Sequence, residues 1–160
     1  MSRATNDSAL RDELVALLRG GQAHARFAET LRDFPAELAG ARAAGIPHTP
    51  WRLVEHMRIA QRDILDFCRD ADHVSPEFPD GYWPEGEAPA DGAAWTASVE
   101  AFCEDLLAME RLVSDPSSDL FARVPGGDGP TLLREAMLVA DHNAYHLGQL
   151  VAILRAVENA

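Results

Sequence analysis

The sequence predicts an all-α fold, a four-helix bundle. Three observations carry that expectation. Apolar residues recur at three- and four-residue spacing through four long segments, which places them on one face of a helix. No segment shows a persuasive strand alternation. The chain has 160 residues, 47% hydrophobic and 25% charged. That is enough to bury one core, so residues 1–160 read as a single domain.

The first periodic stretch is Leu10, Leu14, Leu17 and Leu18, with Asp7 or Ser8 as its N-cap. Gly20-Gly21 interrupts it, since each glycine costs a helix about 1 kcal/mol. The period resumes at Ala23, Phe27, Leu31 and Phe34, so residues 8–34 read as one broken helix or two short ones. Pro35 limits them, because the residue before a proline avoids the α region. Residues 38–44 add a turn.

The second helix starts sharply. Thr49 caps it and Pro50 suits its first position, where no intrahelical amide bond is lost. Leu53, His56, Ala60, Ile64 and Phe67 form its inner stripe, widened by Met57 and Cys68. Asp66, Asp70 and Asp72 crowd its C-terminal end, against the helix dipole. Residues 71–92 then form a long connection with four prolines, three glycines and the aromatics Phe78, Tyr82 and Trp83. Such a segment reads as an ordered loop packed over the domain, of the kind that lines sites.

The third helix carries Trp95, Val99, Phe102, Leu106 and Met109 and ends near Ser114-Asp115-Pro116. Residues 126–130 (GGDGP) are a turn, lacking the GK[ST] ending of a phosphate loop. The last helix starts near Thr131 and runs to about Glu158. Its inner stripe is Glu135, Leu138, His142, His146, Gln149 and Ile153, flanked by Val139 and Leu150. The middle connections are long enough to cross the end of a bundle, so simple up-and-down connectivity is not required.

Charge narrows the function. There are 26 acidic and 14 basic residues, a net charge of -12. Every basic residue is arginine, which excludes lysine Schiff-base chemistry. The negative field opposes broad binding to nucleic acid or an anionic membrane. No apolar run approaches the roughly 18 residues of a membrane span, and the N-terminus has no secretory pattern. Cys68 and Cys103 form no CxxC pair, which fits a reducing compartment and a cytoplasmic location.

The strongest chemical signal is His142-Asn143-Ala144-Tyr145-His146. Side chains four apart on a helix lie one above the other, so both imidazoles can reach one ion. Hydrogen-bonded core histidines would show the same spacing, and both readings stand for the pair alone. Asn143 occupies the place of the glutamate in HExxH, so a zincin mechanism has no support. His56 adds a third imidazole on an inner face. A shared metal satisfies one ring nitrogen of each, and three protein ligands leave coordination positions open, as in catalytic sites.

These residues bring the chain to a resemblance. WRLVEHMRIAQRDILDF at 51–67 and DHNAYHLGQLVAILR at 141–155 resemble the DinB/YfiT superfamily of helical-bundle metalloproteins. Its hallmark is a histidine in the second helix and H-x3-H-x-G-Q in the last, met by His56, His142, His146, Gly148 and Gln149. The resemblance spans nearly the whole chain. It implies an up-down-down-up bundle, often a homodimer, with the three histidines binding a divalent metal. Zinc or nickel is expected first, with manganese or iron as alternatives. It also implies a small-molecule substrate and, in some relatives, a low-molecular-weight thiol such as mycothiol or bacillithiol for transfer or isomerisation. Other relatives have been proposed as hydrolases. The name does not imply DNA binding.

Other residues are open to two readings. Glu135 is a base or outer-shell acceptor facing the same cavity, or a helix-start carboxylate near the positive dipole end. Asp63 turns inward or lies on a polar face with Arg62 and Asp66. His48 precedes the second helix with no defined direction, and His24 and His73 default to solvent. Tyr145 lines a cavity edge or packs on a neighbouring helix. Gly148 suggests close packing, and Gln149 bonds a ligand or closes the helix interface. Arg58, Arg134 and Arg155 are substrate anchors or surface charges. Two function classes follow: a metalloenzyme, and a non-catalytic metal- or small-molecule-binding bundle related to stress. An all-helical partner-binding module without metal requires the histidine triad to be coincidental.

Overall fold

A computed structural model describes residues 3–125, 127 and 129–158. Five helices follow in chain order: α1 Arg3–Arg19, α2 Phe27–Asp33, α3 Pro50–Phe67, α4 Gly92–Ser114 and α5 Leu132–Glu158. Among the described residues there is no strand, only two isolated bridges, Gly20 with Arg26 and Arg123 with Thr131. In the turn at 126–130, Gly126 and Asp128 lie outside the described residues.

Residues 8–34 resolve into two helices. Gly20 and Gly21 adopt φ of 68° and 87°, the left-handed region that stops α1. Asp7 and Ser8 do not cap α1, which begins earlier, at Arg3. Asp7 instead pairs with Arg11 one turn on, at 2.8 Å. Arg11 is buried and donates to the carbonyls of Val113, Asp115 and Ser118, satisfying the C-terminal end of α4. After α2 the chain makes a 3-10 turn at Ala36–Leu38, and a further turn closes from the Ala41 amide to the Leu38 carbonyl at 2.9 Å, within the expected 38–44.

Thr49 caps α3 as expected: its Oγ1 accepts from the Arg52 amide and Pro50 takes the first turn. The same hydroxyl donates to the Glu87 carbonyl at 2.7 Å, tying the far end of the 71–92 connection to this cap. The crowded acids at the other end have local partners. Asp66 accepts from Arg62 at 2.7 Å, and the Asp70 carboxylate accepts from the Asp72 amide.

The core joins all five helices through Leu18, Phe27, Leu31, Met57, Phe102, Met109 and Leu150, among others. Helix α3 packs on α4 and α5, and α1 packs on the same two. The buried face of α3 is rotated from the expected stripe. Val54, Gln61 and Leu65 are buried, while Ile64 and Phe67 are only half-buried. Gln61 is fully enclosed because a polar chain crosses the core: Asn143 Nδ2 donates to Gln61 Oε1, and Gln61 Nε2 donates to the Phe102 carbonyl, both at 2.8 Å. Each of the two side chains thereby gains a partner on another helix, while Asn143 Oδ1 is buried without one. Leu138 is half-buried, not a core residue. Gly148 has no packing role: it is exposed, and a Cβ there would meet nothing within 4 Å.

Candidate metal centre

His56 lies in the second turn of α3, and His142 and His146 lie one turn apart on α5. The packing of α3 on α5 brings the three imidazoles together. One nitrogen from each lies within 4.8 Å of the others, forming a group that could hold a metal ion. His142 Nε2 is 3.0 Å from His56 Nε2. Ligand atoms about 3.3 Å apart are what tetrahedral coordination with zinc–nitrogen bonds of about 2.0–2.1 Å requires.

The outward-facing ring nitrogens support the same reading. His56 Nδ1 donates to the Tyr82 carbonyl at 2.9 Å, which leaves Nε2 with its lone pair. His146 Nδ1 is 2.7 Å from Gln149 Oε1, again leaving Nε2 free. Such outer contacts fix the tautomer a metal needs. Gln149 thus bonds to a candidate ligand, the first of its two expected roles.

All three rings are held neutral. Burial, and then the neighbouring His146 and His56, push His142 down to about 4; a contact with Asn143 offsets part of that drop. Burial also lowers His56, against the Tyr82 carbonyl that favours its charged form. Burial lowers His146 against Gln149 in the same way. The donor set therefore fits a divalent cation at neutral pH, since protons do not compete for the nitrogens. Imidazole donors suit zinc, nickel and iron, and exclude none of the expected metals.

The triad forms the floor of a cavity of about 570 Å³. Ala60 and Gln149 complete the helical side. The opposite wall comes from the irregular connections: Pro47 and His48 before α3, and Phe78, Pro79, Tyr82 and Trp83 after it. Trp83 stacks on His56, with centroids 3.9 Å apart and planes 2° apart, and also on His48 at 4.1 Å. Tyr145 stands at the rim, 66% exposed, beside His146.

The remaining candidates are placed elsewhere. Glu135 does not line the cavity; it is buried two turns before His142 and pairs with Arg134 at 2.6 Å. Its charge helps raise the Cys68 thiol, which burial pushes up to about 12. Cys103 is also raised by burial, and both cysteines are free and buried. Arg58 is held by Glu55, which also accepts from Ser98; neither it, Arg134 nor Arg155 lines the cavity. His24 is exposed, as expected.

Asp63 turns inward, the first of its two readings, and His73 departs from its solvent default. Asp63 is buried, 2.7 Å from His73 Nε2, and its other oxygen accepts from the Tyr82 hydroxyl at 2.6 Å. Burial and the Asp63 carboxylate push that phenol up to about 12. The roles of Tyr82 and Trp83 escape sequence reasoning because their segment has no period. The only signal is three aromatics in one irregular connection.

Comparison with known proteins agrees with this geometry. The family model of the DinB superfamily matches residues 19–150. That span contains all three histidines and the aromatic wall. No curated protein and no solved structure matches the chain. An all-helical fold, a three-histidine cluster shared by two helices and a match over most of the sequence lead to one conclusion: the chain belongs to the DinB superfamily.

Proposed function

We propose that the protein is a divalent-metal-dependent enzyme that uses a low-molecular-weight thiol in transfer or isomerisation, with the ion held by His56, His142 and His146. The observation that carries this reading is the convergence of three neutral imidazoles on the floor of an open, aromatic-walled cavity. When bound, a divalent ion supplies Lewis acidity, lowering the pKa of a thiol or water that reaches it. The chain's own groups favour the thiol. No carboxylate lines the cavity among the described residues, so water would lack a carboxylate base. A thiol, with an ordinary pKa near 8.5, needs far less help than water. Tyr145 and the edge of Trp83, whose ring is stacked on His56 and His48, offer apolar surface to a substrate, and Gln149 holds His146 in register.

The rest of the reading concerns architecture. Residues 1–160 form one domain, the four long helices run up-down-down-up, and the 71–92 connection is an ordered wall. Side-chain pairs support the directions of α1, α3 and α4. Glu55–Ser98 and Arg62–Asp105 advance together along α3 and α4, so these two run the same way. Gln61–Asn143 and His56–His142 link α3 to α5, while Arg19–Glu110 and Arg11–Val113 run in opposite senses on α1 and α4. The protein is a cytoplasmic homodimer; two buried thiols suit a reducing compartment. No helix of the described residues is long and apolar enough to cross a membrane.

The test is elemental analysis of protein purified without added metal, followed by a panel of thiol–electrophile pairs and esters. One zinc or nickel per chain, lost in folded His142→Ala, and turnover that requires the thiol are expected. Ester hydrolysis without thiol would replace the reaction class. Metal uptake with no turnover would leave a non-catalytic binding protein.

A further inference from the structure

We infer that Asp63 is a positioning residue for His56, acting through Tyr82. The inference rests on the metal reading above. His56 has two ring contacts, Nε2 to His142 Nε2 at 3.0 Å and Nδ1 to the main-chain carbonyl of Tyr82 at 2.9 Å; only the carbonyl, which can only accept, dictates that its nitrogen carries the proton. That carbonyl belongs to a 3-10 turn, Asp80–Tyr82, inside an otherwise irregular connection. Such a turn has too few internal hydrogen bonds to hold a carbonyl in place by itself.

The fastening comes from α3. The Tyr82 hydroxyl donates to Asp63 Oδ2 at 2.6 Å, and His73 Nε2 lies 2.7 Å from Oδ1 of the same carboxylate. Both oxygens are therefore engaged, and both by the connection. Arg58 and Arg62, the nearby cations on α3, are held by Glu55 and by Asp66 and Asp105. A carboxylate as buried as Asp63, 9% exposed, is costly unless it is bonded. Packing alone gives no reason for it.

Asp63 and His56 lie seven residues apart on one helix, two turns and about 10 Å along its axis. Helix α3 thus acts as a rigid ruler. Tyr82 spans it, with its side chain on the carboxylate and its main chain on the imidazole. The next residue, Trp83, lies flat on the His56 ring, so the same anchor sets ring plane as well as tautomer. Without it, the His56 proton can move to Nε2 and occupy the nitrogen that faces His142.

The experiment uses Asp63→Asn and Tyr82→Phe in the full chain, with circular dichroism as the folding check. The deciding readout is the His56 tautomer in metal-free protein, from long-range proton–nitrogen correlation of its imidazole. Wild type should show a single Nδ1–H form, and both variants a mixture. Cobalt(II) titration should show an affinity loss of about tenfold or more, in line with other outer-contact changes, and a shifted visible spectrum. An unchanged tautomer in the folded variants overturns the inference, whatever their metal affinity. If wild type takes up no cobalt, the metal reading fails and the tautomer still decides this one. If Asp63→Asn does not fold, Tyr82→Phe decides, since it deletes only a hydroxyl.

Discussion

His142 pays most for being charged, and its position makes the metal-free protein sensitive to acid. Its folded pKa is about 4 against an ordinary value of 6.5. The folded state therefore binds fewer protons than the unfolded chain between those values. The contribution is fully present above about pH 6.5 and is lost as pH falls towards 4, on the order of 3 kcal/mol. Urea unfolding at pH 7.5, 5.5 and 4.5 should show that loss, and His142→Gln should flatten it. At this scale the three histidines were legible because helical spacing and an inner face are local properties. Gln61 and Asn143 were not, because each earns its burial through a partner on another helix. Asp63 stays open between two faces and His73 reads as solvent-exposed, because the contacts that bury them come from the 71–92 connection, a segment without a period.

Helix α3 holds the 71–92 connection at two points, Thr49 at its cap and Asp63 towards its other end. Thr49 is fully buried, accepts from Arg52 and donates to Glu87. Thr49→Ala removes a cap and leaves a loop carbonyl without its donor. The loss should be about 1–2 kcal/mol by chemical denaturation, with faster amide exchange around Glu87. The start of α3 was readable because threonine before proline is a local signal. The start of α1 was not, because Asp7 is drawn into a pair with Arg11, whose other bonds reach the end of α4 across the bundle. The glycine of the H-x3-H-x-G-Q pattern misled in the same way: close packing is inferred from residue type, while Gly148 faces open space.

Across the whole molecule, charge and exposed apolar surface bear on assembly. The net charge of -12 opposes self-association. Against it, Met137 at 50% and Tyr145 at 66% are exposed apolar side chains on α5, Tyr145 at the cavity rim. For the proposed homodimer, sedimentation equilibrium should give twice 17.4 kDa, and Met137→Glu with Tyr145→Glu should return the monomer. A single 17.4 kDa species in wild type at all concentrations removes the dimer. The division of labour in the cavity has a consequence of another kind. Imidazoles on two packed helices form the floor, and residues of irregular connections form the wall. Drift in Phe78, Pro79 or His48 changes the guest without disturbing the helices that carry the reactive apparatus. Tyr82 and Trp83 are the exceptions, since both also hold His56. Such a chassis can acquire new clientele over generations by rewriting its connections, provided that this pair is spared.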